Sequence, residues 1–315
     1  MDATIRRGPA ANPTIAVSLL DFCEVGTDGS AEGGLAGTID SAVLADRLGF
    51  KRYWLAEHWD AGASTPSPEL LTPVIAGMTE RIRVGPAGVL LPLYSPLKVA
   101  SNALLAERLF PGRIDLGLAR GGAAPAVARA LTGSEDVRNL GANYPDKVSE
   151  VVSYLEGRGP VPTRPNNGAA PEIWVLGSGS GSGPLAARLG TGFALSLFHA
   201  GAAADPAIIA DQYRSNFRAS QVRGGRPQAC IAVAGVCAAT DAAAQRIALT
   251  HTNSFVRPNI IGTPERWRDE LTALCRRFAV GEVVVLELSR HPEEHQWAIE
   301  ALAEAFALDA ARVSA

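Results

Sequence analysis

Glu57 and His58 follow a short apolar run, Arg52 to Ala56, and are the first residues whose types suit acid–base chemistry. A carboxylate and an imidazole at the C-terminal tip of a parallel strand stand where α/β barrels and open α/β sheets carry their reactive groups. An imidazole titrates near neutral pH, so His58 is the natural proton donor or acceptor, and Glu57 is better suited to orienting the nearby backbone. The alternative role for the two is an ion pair capping the segment that follows. A second feature is Gly177-Ser178-Gly179-Ser180-Gly181-Ser182-Gly183, where a strand passes through a Gly/Ser loop into a helix. Small residues let backbone N–H groups converge, serine hydroxyls add donors, and a helix N-terminus favours an anion. Without a P-loop lysine, the loop suits a single phosphate better than a nucleoside triphosphate, and a plain solvent loop is its other reading. Arg120, in LGLARGG, offers a guanidinium for a phosphate or for a salt bridge across the same face. The glycines of Gly85-Pro86-Ala87-Gly88 allow a flat ring to lie against the backbone, or mark an ordinary bulge. His199 ends another strand and is a candidate substrate contact. His291 and His295 are four apart, but Pro292 intervenes and no third ligand is evident, so they read as helix-entry and surface residues rather than a metal site.

The elements that must position these groups are legible from periodicity. Eight apolar strands are expected at Thr14–Leu20, Arg52–Ala56, Ile82–Leu91, Arg113–Ala119, Glu172–Leu176, Phe193–Phe198, Ala229–Ala239 and Glu282–Leu288. Between them lie amphipathic helices, among them Thr38–Leu48, one opened by Ser67 as N-cap and Pro68, Pro96–Leu109, Tyr144–Glu156, Pro264–Phe278 and Glu293–Phe306. Asp21–Gly37 reads as a long Gly-rich functional loop, and residues 121–143 as an excursion on the active face. Eight alternating units in 315 residues fit a (β/α)8 TIM barrel with insertions. A doubly wound sheet is the runner-up, but the turn after the first strand, LLDFCEVG, has no GxGxxG.

Composition narrows the function classes. A net charge of −3 leaves no electrostatic footprint for nucleic acid or an anionic membrane. No run of eighteen apolar residues offers a membrane span. Residues 1–12 read as a frayed start, with one domain over 13–315. Cys23, Cys230, Cys237 and Cys275 have no CxxC spacing, which points to buried free thiols in a cytoplasmic protein. Trp54 and Trp174 read as core.

Taken in order, GFKRYWLAEHW, RIRVGPAGVLLPLYSPLKVA, ERLFPGRIDLGLARG, PEIWVLGSGSGSGPLAARLG and IIGTPERWRDEL resemble the bacterial luciferase-like flavin-dependent monooxygenases, from Thr14 to about Phe306. The resemblance implies a TIM barrel and makes His58 the catalytic histidine of a Glu-His-His motif, with Glu57 before it. It implies that Ala56, Ala87 and Gly88 meet a flavin ring, Ala87-Gly88 often being a non-prolyl cis peptide. Arg120 then lies near the flavin, and Gly177 to Ser182 stands at its phosphate. It further implies reduced FMN from a separate reductase, O₂ as co-substrate, a flavin C4a-(hydro)peroxide, and a homodimer. Two positions depart from the pattern. Trp59 replaces the second histidine, and Leu93-Tyr94 replaces polar residues, so Trp59, Tyr94 and His199 are expected to face a bulky, fairly apolar organic substrate. Some relatives use the deazaflavin F420 for hydride transfer instead. Only three lysines, and no basic cluster near Ser178 to Gly183, favour FMN. A flavin-binding protein without catalysis is a third reading, supported by Trp59 alone.

Overall fold

The protein is represented by a computed structural model that describes residues 15–60, 62–165, 169–199, 205–219, 225–251 and 256–309. The expected frayed start lies outside the described residues. Among the described residues, ten parallel strands form one sheet: β1 (Ala16–Asp21), β2 (Arg52–Leu55), β3 (Arg83–Pro86), β4 (Val89–Leu90), β5 (Asp115–Ala119), β6 (Glu172–Gly177), β7 (Gly192–Ser196), β8 (Ala229–Cys237), β9 (Ile260–Gly262) and β10 (Glu282–Glu287). The pairing path runs β3-β2-β1-β10-β8-β7-β6-β5-β4, with β9 attached to β8. Its two ends, β3 and β4, are halves of one interrupted strand, so the sheet curls into a barrel. A bridge from Val84 in β3 to Ile114, just before β5 (Asp115–Ala119), spans the join.

Alternation along the strands builds two cores. In β10 (EVVVLE), Val283 and Val285 pack outward with Ala298 and Leu302 of α10 (Pro292–Ala305), while Val284 and Leu286 point into the barrel. Trp54 and Trp174 also point inward, edge to face at 5.3 Å, among the small side chains Ala194, Ala232 and Ala234. Small residues opposite two indoles let the layers fill the barrel without voids. Beneath them Arg52 closes the N-terminal end. Its guanidinium donates to Asp115 (2.8 Å), Glu172 (2.9 Å) and Glu282 (2.7 Å), and it lies 4.7 Å from the Trp174 ring centre.

Helices α1 (Ala31–Leu48), α2 (Pro68–Met78), α3 (Pro96–Leu109), α5 (Tyr144–Leu155), α6 (Ser182–Leu189), α7 (Pro206–Ser215), α8 (Asp241–Ala248) and α9 (Pro264–Phe278) join α10 around the sheet. The excursion after β5 carries α4 (Pro125–Thr132). Among the described residues, no helix is long and apolar enough to cross a membrane.

Several expectations are corrected. The Gly-rich stretch after β1 is helical from Ala31, because Ser30 Oγ accepts the Gly33 N–H at 3.0 Å and caps α1. Gly34 is there for packing: a Cβ would lie 2.7 Å from the Ser64 side chain. Ser67 gives α2 no side-chain cap. The strand over Ile82–Leu91 is broken by a cis Ala87-Gly88 peptide, then turns into a short 3₁₀ segment at Leu91–Leu93. The glycines around that break also allow the neighbouring strand to approach closely. A Cβ on Gly88 would sit 3.0 Å from the Gly117 carbonyl, and one on Gly117 would sit 2.5 Å from the Pro86 oxygen. All four cysteines are buried and free.

Candidate functional site at the barrel mouth

The C-terminal tips of the strands bring Phe22 (after β1), His58 (after β2) and Phe198-His199 (after β7) together. The Phe22 and His58 rings lie 4.6 Å apart, and Phe22 meets Phe198 edge-on at 6.2 Å. His199 stacks on Phe198 at 4.6 Å, and its Nδ1 is 2.6 Å from Ser196 Oγ. His58 is half-buried, and its imidazole makes no hydrogen bond among the described residues. Burial lowers its pKa and outweighs the nearby carboxylates of Asp60 and Glu24, so the ring is neutral at pH 7. A neutral imidazole with both nitrogens open, held against a phenyl ring, can accept a proton or donate a hydrogen bond to a bound molecule.

Glu57 faces a different direction. Its buried carboxylate accepts from Trp59 Nε1 (2.7 Å), Tyr94 OH (2.6 Å) and the Leu90 N–H (2.9 Å). Burial nevertheless pushes its pKa up. The three donors tie the tip of β2 to β4 and to the turn after it, so this carboxylate holds the backbone beside the Ala87-Gly88 peptide. Trp59 and Tyr94 therefore spend their polar atoms on Glu57. Their rings remain half-buried and pack on Leu90 and Leu93. Replacing Glu57 by Gln turns one acceptor into a donor against three donors. Urea unfolding of Glu57→Gln should show a loss of about 1–3 kcal/mol, the cost of one unsatisfied buried group. Unchanged stability would remove Glu57 as the anchor.

Arg120 is exposed at the tip of β5 and forms no ion pair or hydrogen bond among the described residues, so no salt bridge crosses the mouth there. It lines a cavity of about 470 Å³ with Leu93, Ala128, Val137, Arg138 and Leu140, and neither His58 nor Ser178 lines that space. The loop Gly177 to Ser182 lies at the tip of β6 and leads into α6, whose N-cap Gly181 provides no side-chain cap. Ser178, Ser180 and Ser182 hydroxyls have no partner among the described residues, although Ser182 folds back over Gly177. His295, expected at the surface, is instead tied through Nδ1 to the buried Glu287 at 2.8 Å. Burial disfavours its charge, but Glu287 outweighs that and raises its pKa. Among the described residues, no cluster of three His, Cys, Asp or Glu side chains could hold a metal.

The luciferase-like monooxygenase family matches residues 15–313. The chain belongs to that family. The Bacillus subtilis (strain 168) protein YwcH is 34% identical, over 93% of this chain and 99% of its own. Among solved structures, apo-MsnO8 superposes with a TM-score of 0.83 at 29% identity, covering 95% of this chain and 99% of that one. The oxygenating constituent of 3,6-diketocamphane monooxygenase from Pseudomonas putida, a type II Baeyer-Villiger monooxygenase in complex with FMN, shares the fold. Its TM-score is 0.69 at 20% identity, over 93% of this chain and 98% of that one.

For this luciferase-like monooxygenase, sequence reasoning missed Phe22, Ser196 and Phe198 as parts of the mouth. Phe22 directly follows the first strand and Phe198 directly precedes a histidine, so their positions at strand tips were the available signal.

Proposed function

We propose that the protein is an FMN-dependent monooxygenase that takes reduced flavin from a separate reductase and oxidises a bulky, fairly apolar organic substrate with O₂. The observation that carries this reading is the half-buried, neutral, unpartnered imidazole of His58 among Phe22 and Phe198 at the barrel mouth. The residues present suit a flavin mononucleotide. The uncapped N-terminus of α6 and the free hydroxyls of Ser178, Ser180 and Ser182 would hold a phosphate, and the unpaired Arg120 would add a guanidinium. Ala56, Ala87 and Gly88 would offer backbone to the ring. When bound, the reduced flavin supplies the electrons that activate O₂. The chain's own residues orient the substrate, exclude water and exchange a proton at His58.

The reading extends to a homodimer. Leu70, Val74 and Met78 recur four apart on α2, and Leu105 and Leu109 lie on α3, all exposed. Such an apolar stripe suits burial against a second copy.

Anaerobic titration of the purified protein with reduced FMN and with reduced F420, followed by oxygen uptake in the presence of an NADH:FMN reductase, tests the assignment. We expect saturable FMN binding and substrate-dependent oxygen uptake, with light scattering on the same sample reporting a pair of chains. Binding of F420 alone would replace the cofactor. No oxygen uptake with any reduced flavin would support the non-catalytic reading.

A further inference from the structure

We propose that Phe22 is a positioning residue for His58, and that Asp21 and Tyr53, on the outer face of the barrel wall, hold Phe22 in place through the turn at Cys23. Its role in turnover deepens the flavin monooxygenase reading and rests on it. The contact itself belongs to the protein without flavin.

Alternation along β1 sorts the residues. Leu20 and Phe22, two apart, pack into the barrel interior with Trp54. Leu19 and Tyr53 pack outward, and Asp21 meets the Tyr53 hydroxyl on that side. The last rung of the strand is the Ala56 N–H donating to the Asp21 carbonyl at 2.8 Å, so the ladder ends before Phe22. What directs Phe22 is the residue after it. Cys23 has φ 51°, in the left-handed region that side-chain-bearing residues rarely adopt. Three hydrogen bonds hold it there. Its N–H donates to Asp21 Oδ1 at 2.6 Å, and its carbonyl accepts the Ser64 N–H at 2.6 Å and the Ser64 hydroxyl at 2.8 Å. The other Asp21 oxygen accepts the hydroxyl of Tyr53, which is 1% exposed and has no water to turn to instead. The Tyr53 hydroxyl thus fixes the carboxylate, the carboxylate fixes the turn, and the turn leaves the Phe22 ring over the barrel mouth.

There the phenyl lies 4.6 Å from the His58 imidazole, tilted by 50°. The imidazole makes no hydrogen bond among the described residues, so ring contact is what orients it and keeps water from that side. The charged and titratable groups facing His58 are the carboxylates of Glu24 and Asp60 and the imidazole of His199. Arg290 Nε lies 3.7 Å from Glu24 and offsets part of its charge. Tyr53 stands on the other side of the wall. Replacing it by phenylalanine removes one hydroxyl and changes no charge near His58.

The test starts on the apo protein, with nitrogen-15-labelled histidine NMR titrations. Five histidines make assignment by single substitution practical. We expect Phe22→Ala to raise the His58 midpoint by about half a pH unit, toward the ordinary value of about 6.5, because water reaches the ring. Phe22→Leu keeps an apolar side chain and should raise it less, and it serves as the readout if Phe22→Ala does not fold. Tyr53→Phe should move the midpoint in the same direction. Combined with Phe22→Ala it should add nothing, because its effect runs through Phe22. An unmoved midpoint in both Phe22 variants would overturn the positioning role. A Tyr53→Phe effect that is absent, or that adds in full to Phe22→Ala, would overturn the path through Cys23. With reduced FMN bound, stopped-flow oxidation by O₂ against pH should show the acid limb of Phe22→Ala displaced upward by the NMR shift, with FMN affinity within a few-fold of wild type. An acid limb that stays in place would overturn the role in turnover. Failure of the wild type to bind FMN would overturn the monooxygenase reading and leave the apo titrations to decide the contact.

Discussion

Arg52→Ala should lose about 3–5 kcal/mol of stability, the cost of removing one partner from a buried ion pair and leaving the other charged. Arg52 is 1% exposed and sits at the N-terminal end of the barrel among Asp115, Glu172 and Glu282. Lys51 and Arg83 complete the group, so three cations face three carboxylates. Removing Arg52 leaves an excess negative charge in the barrel floor, and a void beneath Trp174 adds to it. Burial pushes Asp115 and Glu282 upward, but their cations outweigh it and hold both below the ordinary carboxylate range. Carboxylates with depressed pKa values stabilise the fold above their unfolded values near pH 4, and that stability is lost as pH falls through the folded values. The wild type should therefore unfold on acidification, and Arg52→Ala should lose much of this acid sensitivity. Urea midpoints for both proteins at pH 7 and at about pH 2.5, inside that window, check the expectation. A loss below about 1 kcal/mol, the range of exposed pairs, would show that water reaches the floor.

How much of this was legible beforehand depended on the range of the interaction. β10 declares itself by its run of valines, and α3 and α9 start where expected because proline begins each, behind Ser95 and Thr263 as caps. Local chemistry decides such boundaries. The start of α1 was hidden because Gly33 and Gly34 look like loop residues, and the reason for Gly34, the approach of Ser64, is thirty residues away. β9 escaped notice because three residues carry no periodicity. At the site, Glu57 and His58 announce themselves at a strand tip. The fact that Glu57 turns toward Leu90 and Tyr94 while His58 turns toward Phe22 is a three-dimensional outcome. A large ring next to His58 marks Trp59 as a candidate substrate contact, whereas the anchoring of Glu57 by its indole N–H is a contact that a single sequence cannot reveal. His295 was misjudged for the same reason, since Glu287 reaches it across the turn into α10.

His58→Ala should slow turnover by about 10²–10⁴-fold, the usual share of general acid–base catalysis, while FMN affinity stays within a few-fold of wild type. The separation is expected because the groups suited to the phosphate, Ser178, Ser180, Ser182 and Arg120, follow the tips of β6 and β5, whereas His58 follows β2 and does not line the cavity beside Arg120. The pH dependence follows from the sign of the shift. Burial holds the imidazole below its ordinary value, so the neutral form predominates at pH 7. A rate that needs this neutral form is flat through neutrality and falls about tenfold per unit once pH drops below the folded pKa. The same shift costs stability in acid. The unfolded chain binds a proton near pH 6.5 before the folded one does, so stability declines as pH falls below that point. Stopped-flow turnover against pH, with FMN binding measured in parallel, reads both effects. Loss of FMN binding in His58→Ala would make the imidazole part of the cofactor's cradle. Wild-type turnover in the variant would take the proton chemistry away from position 58 altogether, and with it the reason for an open, unpaired imidazole between Phe22 and the substrate space.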